Sequence, residues 1–226
     1  MKNLNSWSRL ENLLKNRNVP IPSGAVQKLQ QHWALIRTES REQNLTSIKS
    51  ASEAVQAHYL DSLSLLWSAS GPGFEFPRMG ARVLDAGSGA GFPGIPLKIF
   101  RPDWRLVLAD SRLKRVQFLR SAIKALRLVD CSAVHCRVEK AREKMPAAFD
   151  LVITRAMSNP RAAIRMIAGT AKQGGHVVLY AVRPDPPQEK LLVREAEKRG
   201  LQLTAVTDAH VPGRTGHYLI CFRKLL

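Results

Sequence analysis

A glycine-rich loop that follows a short apolar run constrains the fold of this chain more than any other segment. The apolar run suits a buried parallel strand and ends in Asp85. Gly87, Gly89 and Gly91 then allow a sharp backbone turn and the close approach of a ligand. Pro93 presets the backbone for a following helix, whose free N–H groups are expected to face that ligand. The pattern predicts a nucleotide-cofactor loop. The alternative is a glycine-rich turn without a ligand, but a simple turn does not require four glycines, which lose backbone entropy on folding.

Two carboxylates narrow the choice of cofactor. Asp110 ends the next apolar run, about twenty residues after the glycines, where a carboxylate accepts hydrogen bonds from both hydroxyls of an adenosine ribose. This position suits NAD or S-adenosylmethionine and repels the extra phosphate of NADP. Asp85 lies ahead of the glycines, where it attracts the ammonium group of a methionine and disfavours a pyrophosphate. The pair therefore favours S-adenosylmethionine, and an NAD-dependent oxidoreductase is the alternative.

The pattern of the chain changes near residues 69–80, which are rich in glycine and proline. Helical spacing of apolar residues before this boundary predicts an N-terminal helical region over residues 1–79. Alternating strands and helices beyond it predict a doubly wound α/β domain over residues 80–226. The last crossover, residues 207–217, is too short for a parallel return, so the seventh strand is expected to run antiparallel. The predicted strands are 82–86, 105–109, 132–138, 149–154, 176–182, 201–206 and 218–222.

The chain is strongly basic. Its 226 residues include 35 Lys and Arg against 18 Asp and Glu, a formal net charge of +17 at pH 7. Such an excess indicates a polyanionic partner, and nucleic acid fits better than a membrane because no segment joins basic residues to a broad apolar face. Lys114 and Arg115, on the helix predicted after Asp110, are candidates for RNA contact. A solvated basic surface is the alternative.

Three further features of the composition bear on the class of protein. No apolar run reaches the length of a membrane span, and the first residues lack a signal-peptide core, so a soluble, cytoplasmic protein is expected. Cys131, Cys136 and Cys221 match no zinc-site spacing and form no even set for disulfides. We therefore expect buried thiols and no metal.

Several motifs occur together in a fixed order. They are Asn44-Leu45-Thr46, the segment 58–62, the loop 85–96, Asp110-Ser111 with Lys114-Arg115, Arg137-Val138-Glu139, and Phe149-Asp150 with Thr154-Arg155-Ala156. Over residues 44–157 the chain resembles the RsmG (GidB) family, whose members methylate N7 of a guanine in bacterial 16S (small-subunit) ribosomal RNA. The resemblance implies the Rossmann-like fold of class I S-adenosylmethionine-dependent methyltransferases. It also implies small-subunit rRNA, free or in the ribosomal subunit, as the partner of a protein expected to be a monomer.

The resemblance also implies site residues. The implied cofactor contacts are Gly87, Phe92, Val138, Glu139 and Arg155. Arg155 follows the fourth strand, where its guanidinium is expected to hold the methionine carboxylate or an RNA phosphate. Arg183 follows the fifth strand, where family members often carry a lysine, and it is a candidate to replace that charge toward RNA.

The implied chemistry needs no general base. N7 of guanine carries an in-plane lone pair and no proton, so alignment with the sulfonium methyl is expected to supply catalysis and no catalytic residue is predicted. His58 and Asp61, three apart on a predicted helix, are interpreted as a structural hydrogen-bonding pair. The target is expected to be a single-stranded or loosely paired guanine, because a base must leave its stack to be modified.

Other methyl acceptors lack their signatures. An exocyclic adenine amine calls for an Asn/Asp-Pro-Pro-Tyr/Phe turn after the fourth strand, which is missing, and the similar segment 185–188 is interpreted as a loop. Methylation at cytosine C5 requires a nucleophilic cysteine after the fourth or fifth strand, and none of the three cysteines lies there. A noncatalytic RNA-binding or assembly factor stays open as an alternative from another class.

Overall fold

The computed structural model describes residues 5–43, 45–68, 74–136, 147–155 and 159–225. In this part of the chain a seven-stranded sheet has the order β3-β2-β1-β4-β5-β7-β6. Its strands are β1 (Arg82–Ala86), β2 (Arg105–Asp110), β3 (Cys131–His135), β4 (Phe149–Arg155), β5 (Ala171–Val182), β6 (Leu201–Asp208) and β7 (His217–Lys224). Pairs among β1 to β5 are parallel, and β7 runs antiparallel to both β5 and β6. The predicted sheet and its antiparallel last strand are confirmed.

Two predicted strand bounds were wrong by three residues or more, and the other bounds differ by at most two. The third strand ends at His135 rather than at residue 138, and Val138 and Glu139 lie outside the described residues. The fifth strand begins at Ala171, five residues before the prediction. Gly174, at φ +72°, and Gly175 resemble a turn in the sequence, but the ladder with β4 absorbs them through a register shift.

Helices cover both faces of the sheet. The N-terminal helices are α1 (Ser6–Asn16), α2 (Ala25–Gln43), α3 (Ala51–Ala54), a π-helix (Val55–Leu60), α4 (Asp61–Leu63) and α5 (Leu65–Ser68). They share one buried apolar cluster with α6 (Gly94–Phe100), α7 (Leu113–Ala125) and one face of the sheet. A second cluster buries the other face under α8 (Pro160–Ile167) and α9 (Pro186–Glu197). The N-terminal helices thus form part of one layer of the sandwich; the division at residues 79 and 80 stays a prediction.

The segment 185–188, interpreted from sequence as a loop, is the start of a helix. The Asp185 side chain accepts a hydrogen bond from the backbone N–H of Gln188 at 2.8 Å and caps α9. Pro186 opens the helix, where a missing N–H carries no cost. Asn159 caps α8 in the same way. Within the described residues, no helix is both long and apolar enough to cross a bilayer.

Candidate active site

The glycine loop joins β1 to α6 at the carboxyl end of the sheet. The backbone N–H groups of Gly87 and Ser88 donate to the Ala109 carbonyl on β2, which ties the loop to the neighbouring strand tip. Gly87 has φ +79°, and a Cβ added there would meet no described atom within 4 Å. The backbone at Gly87 therefore faces open space, as close approach of a ligand requires.

Other glycines of this segment serve packing instead. A Cβ on Gly91 would lie 2.4 Å from Cδ1 of Ile95, and one on Gly94 would lie 2.5 Å from Cδ2 of Leu108. A side chain at Gly94 is excluded because α6 packs closely on the sheet, whereas the space beside Gly91 is filled by the Ile95 side chain of α6. Gly91 was predicted to contact the cofactor, but its Cβ position points toward buried side chains of the protein.

Asp85 is fully buried at the tip of β1. Its Oδ2 accepts a hydrogen bond from the Gly94 N–H at 2.9 Å, while its Oδ1 has no hydrogen-bond partner among the described residues. Burial raises the pKa of this carboxyl to about 7. The expectation that the first N–H groups of α6 face a ligand was wrong, because Asp85 takes that of Gly94 and the Ile95 N–H donates to the Gly91 carbonyl.

Asp110 is the last residue of β2 and is also buried. Its Oδ2 accepts from the Gly89 N–H at 3.0 Å and its Oδ1 from the Arg112 N–H at 2.9 Å. A carboxylate has about four acceptor positions, so both oxygens keep capacity for further donors. Arg115 brings its guanidinium 3.6 Å from Oδ2, which turns it toward the loop, whereas Lys114 is exposed to solvent.

Arg155 ends β4 and connects it to the N-terminal helices. Its Nη1 donates to Oδ2 of Asp61 at 2.9 Å and to the Ala57 carbonyl at 3.2 Å, and its Nη2 donates to Nδ1 of His58 at 3.1 Å. The guanidinium lies 5.1 Å from the ring centre of Phe92, on the glycine loop. His58 and Asp61, expected to pair structurally, are thus joined through Arg155.

His58 is held neutral. Its Nδ1 accepts from Arg155, so its Nε2 carries the proton and donates to Oγ1 of Thr46 at 3.0 Å. Burial and the Arg155 charge lower the pKa of His58 to about 3. The ring also stacks on Phe92 with centres 4.6 Å apart. His58 therefore stays uncharged beside the loop near neutral pH, with both ring nitrogens engaged in hydrogen bonds.

Arg214 and His217, which sequence reasoning missed, complete this polar network. His217 opens β7 and places its Nδ1 3.3 Å from Oδ1 of Asp61. Its Nε2 accepts from Nε and Nη2 of Arg214 at 3.2 and 2.8 Å. The signal was present: a basic residue in a glycine-containing loop, just before an antiparallel strand, lies at the edge where the parallel strands end.

A cleft of about 720 Å³ opens over this network. Its described lining includes His58 and Asp61 from the helices, Arg155 and Tyr180 from β4 and β5, and Arg183, Arg214 and His217. Arg183 is exposed, and its guanidinium lies 5.2 Å from the ring centre of Tyr218. The cleft thus adjoins the glycine loop through Phe92 and carries several guanidinium groups.

The cysteines lie outside this arrangement. Cys136 and Cys221 are buried, and Cys131 is partly buried. Burial raises the pKa of Cys131 and of Cys221 to about 12, which makes both unreactive. Among the described residues, no group of three or more His, Cys, Asp or Glu side chains is arranged to hold a metal ion.

The family model for GidB, described as rRNA small subunit methyltransferase G, matches residues 25–214. The chain belongs to the GidB family. Ribosomal RNA small subunit methyltransferase G of Geobacter sp. (strain M21) is 34% identical over 174 residues, 77% of this chain and 76% of that protein. The protein of the same name from Glaesserella parasuis serovar 5 is 31% identical over 209 residues, 92% of this chain and 95% of that one. The expected family is confirmed.

Solved structures agree with this family in fold. M. jannaschii TYW2 in complex with AdoMet superposes with a TM-score of 0.57 at 14% identity, over 78% of this chain and 77% of that one. At this identity the likeness concerns the fold alone. The sheet of this GidB chain is that of the class I methyltransferases, as expected.

Proposed function

We propose that this GidB protein transfers a methyl group from S-adenosylmethionine to N7 of a guanine in bacterial 16S rRNA. The observation that carries the proposal is the space beside Gly87 that no described residue fills, in a segment whose N–H groups bond to the buried carboxylates at the tips of β1 and β2, in a chain of this family. S-adenosylmethionine supplies a sulfonium methyl group when it is bound.

The residues at the loop suit this cofactor. Oδ1 of Asp85 is a buried acceptor without a partner among the described residues, which an ammonium group would satisfy. Asp110 keeps acceptor capacity for ribose hydroxyls while its two hydrogen bonds hold the loop. The buried Asp85 carboxyl disfavours the pyrophosphate of NAD, which argues against the oxidoreductase alternative. Val138, Glu139 and Arg155 remain proposed contacts by family resemblance.

The cleft residues suit a reaction without proton abstraction. His58 is neutral and both of its ring nitrogens are engaged, and Asp61 is paired with Arg155 and His217. Neither is free to act as a general base. Attack by N7 needs none, so these residues act by shaping the cleft in which the base and the methyl group are aligned.

Small-subunit rRNA is the proposed partner, with the basic surface of the chain, net charge +17, meeting its phosphates. Arg183 and Lys114 are exposed candidates for these contacts. We further propose that the protein is a cytoplasmic monomer. A noncatalytic role in ribosome assembly would not require a cofactor loop next to the cleft.

The deciding experiment is methyl transfer in vitro. Small subunits from a strain lacking this protein are incubated with labelled S-adenosylmethionine, and the rRNA is then cleaved chemically at 7-methylguanine and read by reverse transcription. We expect one new stop at a guanine, and no transfer to fully modified subunits. Binding of subunits without methyl transfer would support the assembly factor instead, and label at another base atom would reject N7.

A further inference from the structure

Two guanidinium groups converge on one backbone oxygen below the cleft. Nη1 of Arg214 and Nη1 of Arg155 donate to the Ala57 carbonyl at 2.9 and 3.2 Å. Ala57 lies in the π-helix, whose wider hydrogen-bond spacing turns carbonyl groups away from the regular helical ladder. A π-helix within a longer helix is often found at functional sites for this reason.

The charges of this network do not balance. Among the described residues that line the cleft, the carboxylates are those of Asp61 and Glu53, and the guanidinium groups are those of Arg155, Arg183 and Arg214. Asp61 bonds directly to Arg155, whereas Arg214 reaches it only through the ring of His217. Arg214 therefore has neutral acceptors as its partners in this structure, and the cleft keeps a cationic excess.

The donors of Arg214 are only partly used. Its Nε, one N–H of Nη1 and one N–H of Nη2 bond to His217 and Ala57, so two of the five guanidinium N–H donors have no partner among the described residues. The side chain is half-buried, and its plane is set by three hydrogen bonds. Arg155, in contrast, is 13% exposed and holds a carboxylate of its own. Arg214 is thus the better placed of the two for an external anion.

We propose that Arg214, oriented by His217, Asp61 and the Ala57 carbonyl, binds a phosphate of the RNA strand that carries the target guanine. The inference rests on the proposed function and names a contact within it. A guanidinium with two free donors forms two parallel hydrogen bonds to a phosphate. Arg214 would thereby fix the strand at the cleft edge, and His217 and Asp61 are positioning residues.

The loop that carries Arg214 is held in advance by the N-terminal helices. The Ala209 carbonyl accepts from Nε1 of Trp67 at 3.0 Å, and the Pro212 carbonyl accepts from Nε2 of Gln56 at 2.6 Å. A loop ordered before binding loses less entropy when it meets RNA. This anchoring assigns the N-terminal helices a supporting role in substrate binding.

The test compares Arg214→Ala with two controls. Arg105→Ala removes one exposed positive charge at the amino end of β2, away from the cleft. Gln56→Ala loosens the same loop but keeps the Arg214 charge. For each, kcat and KM are measured with undermodified small subunits at several salt concentrations, S-adenosylmethionine affinity is measured by calorimetry, and thermal unfolding is recorded.

For Arg214→Ala we expect KM for subunits to rise roughly tenfold or more, with the cofactor Kd unchanged within about twofold. The slope of log(kcat/KM) against log[salt] should become shallower by roughly 0.7–0.9, the effect of one phosphate contact. Arg214→Lys should keep the slope, because the charge remains. Both controls should keep the wild-type slope.

The proposal is overturned if Arg214→Ala leaves KM and the salt slope unchanged, or if Gln56→Ala reproduces its slope. A matching loss of cofactor affinity would instead assign Arg214 to the methionine carboxylate. If the wild-type protein fails to methylate subunits, the proposed function itself is rejected. The wild-type measurement thus separates that outcome from a failure of the Arg214 proposal.

Discussion

Oδ2 of Asp61 lies 2.9 Å from Nη1 of Arg155, with both side chains largely buried, so one ion pair joins the N-terminal helices to the end of β4. Removing one partner of a buried pair leaves an uncompensated charge. We expect Asp61→Ala to lower the free energy of unfolding by about 3–5 kcal/mol. Thermal denaturation should show a fall of about 10 °C in Tm.

The control for that loss is the ion pair between Lys15 and Glu11 in α1, at 2.7 Å, whose side chains are largely exposed. Glu11→Ala should cost less than about 1 kcal/mol, because water screens exposed pairs. Equal losses for the two variants would show that burial of the Asp61 pair has no energetic consequence.

Gly87→Ala tests the open space at the loop. The added methyl group meets no described protein atom, so its structural cost is the left-handed backbone alone, about 1–2 kcal/mol. S-adenosylmethionine affinity should fall at least about tenfold, since the methyl group occupies the ligand's space. Gly174→Ala is the control, because Gly174 has a similar φ (+72°) and no described atom near its Cβ position. It lies near the amino end of β5, away from the glycine loop. If both variants bind the cofactor normally, the ligand does not approach Gly87.

Asp110 is expected to distinguish cofactors by their ribose hydroxyls. For Asp110→Asn, S-adenosylhomocysteine affinity should fall by about 1–3 kcal/mol, or roughly 5- to 150-fold, for a lost charged hydrogen bond. The wild-type protein should prefer S-adenosylhomocysteine over its 2′-deoxy analogue, and Asp110→Asn should lose most of that preference. Calorimetry with the two ligands and two proteins completes the comparison. An unchanged preference would place the ribose elsewhere.

Asp85 should make cofactor binding depend on pH. Its folded pKa of about 7 means that the carboxyl is protonated below neutral pH and pairs with an ammonium group only above it. Wild-type affinity for S-adenosylmethionine should therefore rise roughly tenfold from pH 5.5 to pH 7.5. Asp85→Asn should bind weakly at both values, and a pH-dependent variant would remove Asp85 as the cause.

The Asp85 carboxyl should also make folding stability depend on pH, but stability should fall with rising pH whereas cofactor affinity should rise. Because the folded pKa lies above the unfolded value of 3.8, the stability that Asp85 contributes is present at low pH and is lost as pH rises through 7. Asp85→Asn should accordingly be as stable as the wild type, or more so, at pH 8 in urea denaturation.

Two buried imidazoles should stay neutral in the folded protein. His32 lies in α2, and its Nε2 bonds to the Ala90 carbonyl at 2.9 Å. Burial lowers the pKa of His32 to about 4 and that of His58 to about 3. Because these values lie below 6.5, the stability that each ring contributes is present above pH 6.5 and is lost as pH falls toward them. By pH 5 the loss is about 2 kcal/mol per ring. Ring ¹⁵N shifts of His32 and His58 should be constant from pH 8 to pH 5; a titration within that range would contradict the buried hydrogen bonds.

The general fold followed from local patterns, and each error has an identifiable cause. The loop at residues 87–91 was recognisable because the backbone turn requires glycines, and these stand close together in the sequence. The start of β5 was missed because Gly174 and Gly175 look like a turn, and the bulge that accommodates them depends on β4. The segment 185–188 was misread because a capping aspartate with prolines is typical of both loops and helix starts.

The cofactor loop, the alternation of strands and helices, the direction of β7 and the basic character all followed from order and spacing along the chain. The polar network under the cleft did not. Arg214 bonds to Ala57, 157 residues away in sequence, and His217 meets Asp61 across the same gap between β7 and the helices. The periodicity of apolar residues predicts which side of a helix or strand is buried. The contacts among Arg214, His217, Asp61 and Ala57 depend instead on how the N-terminal helices pack against the sheet.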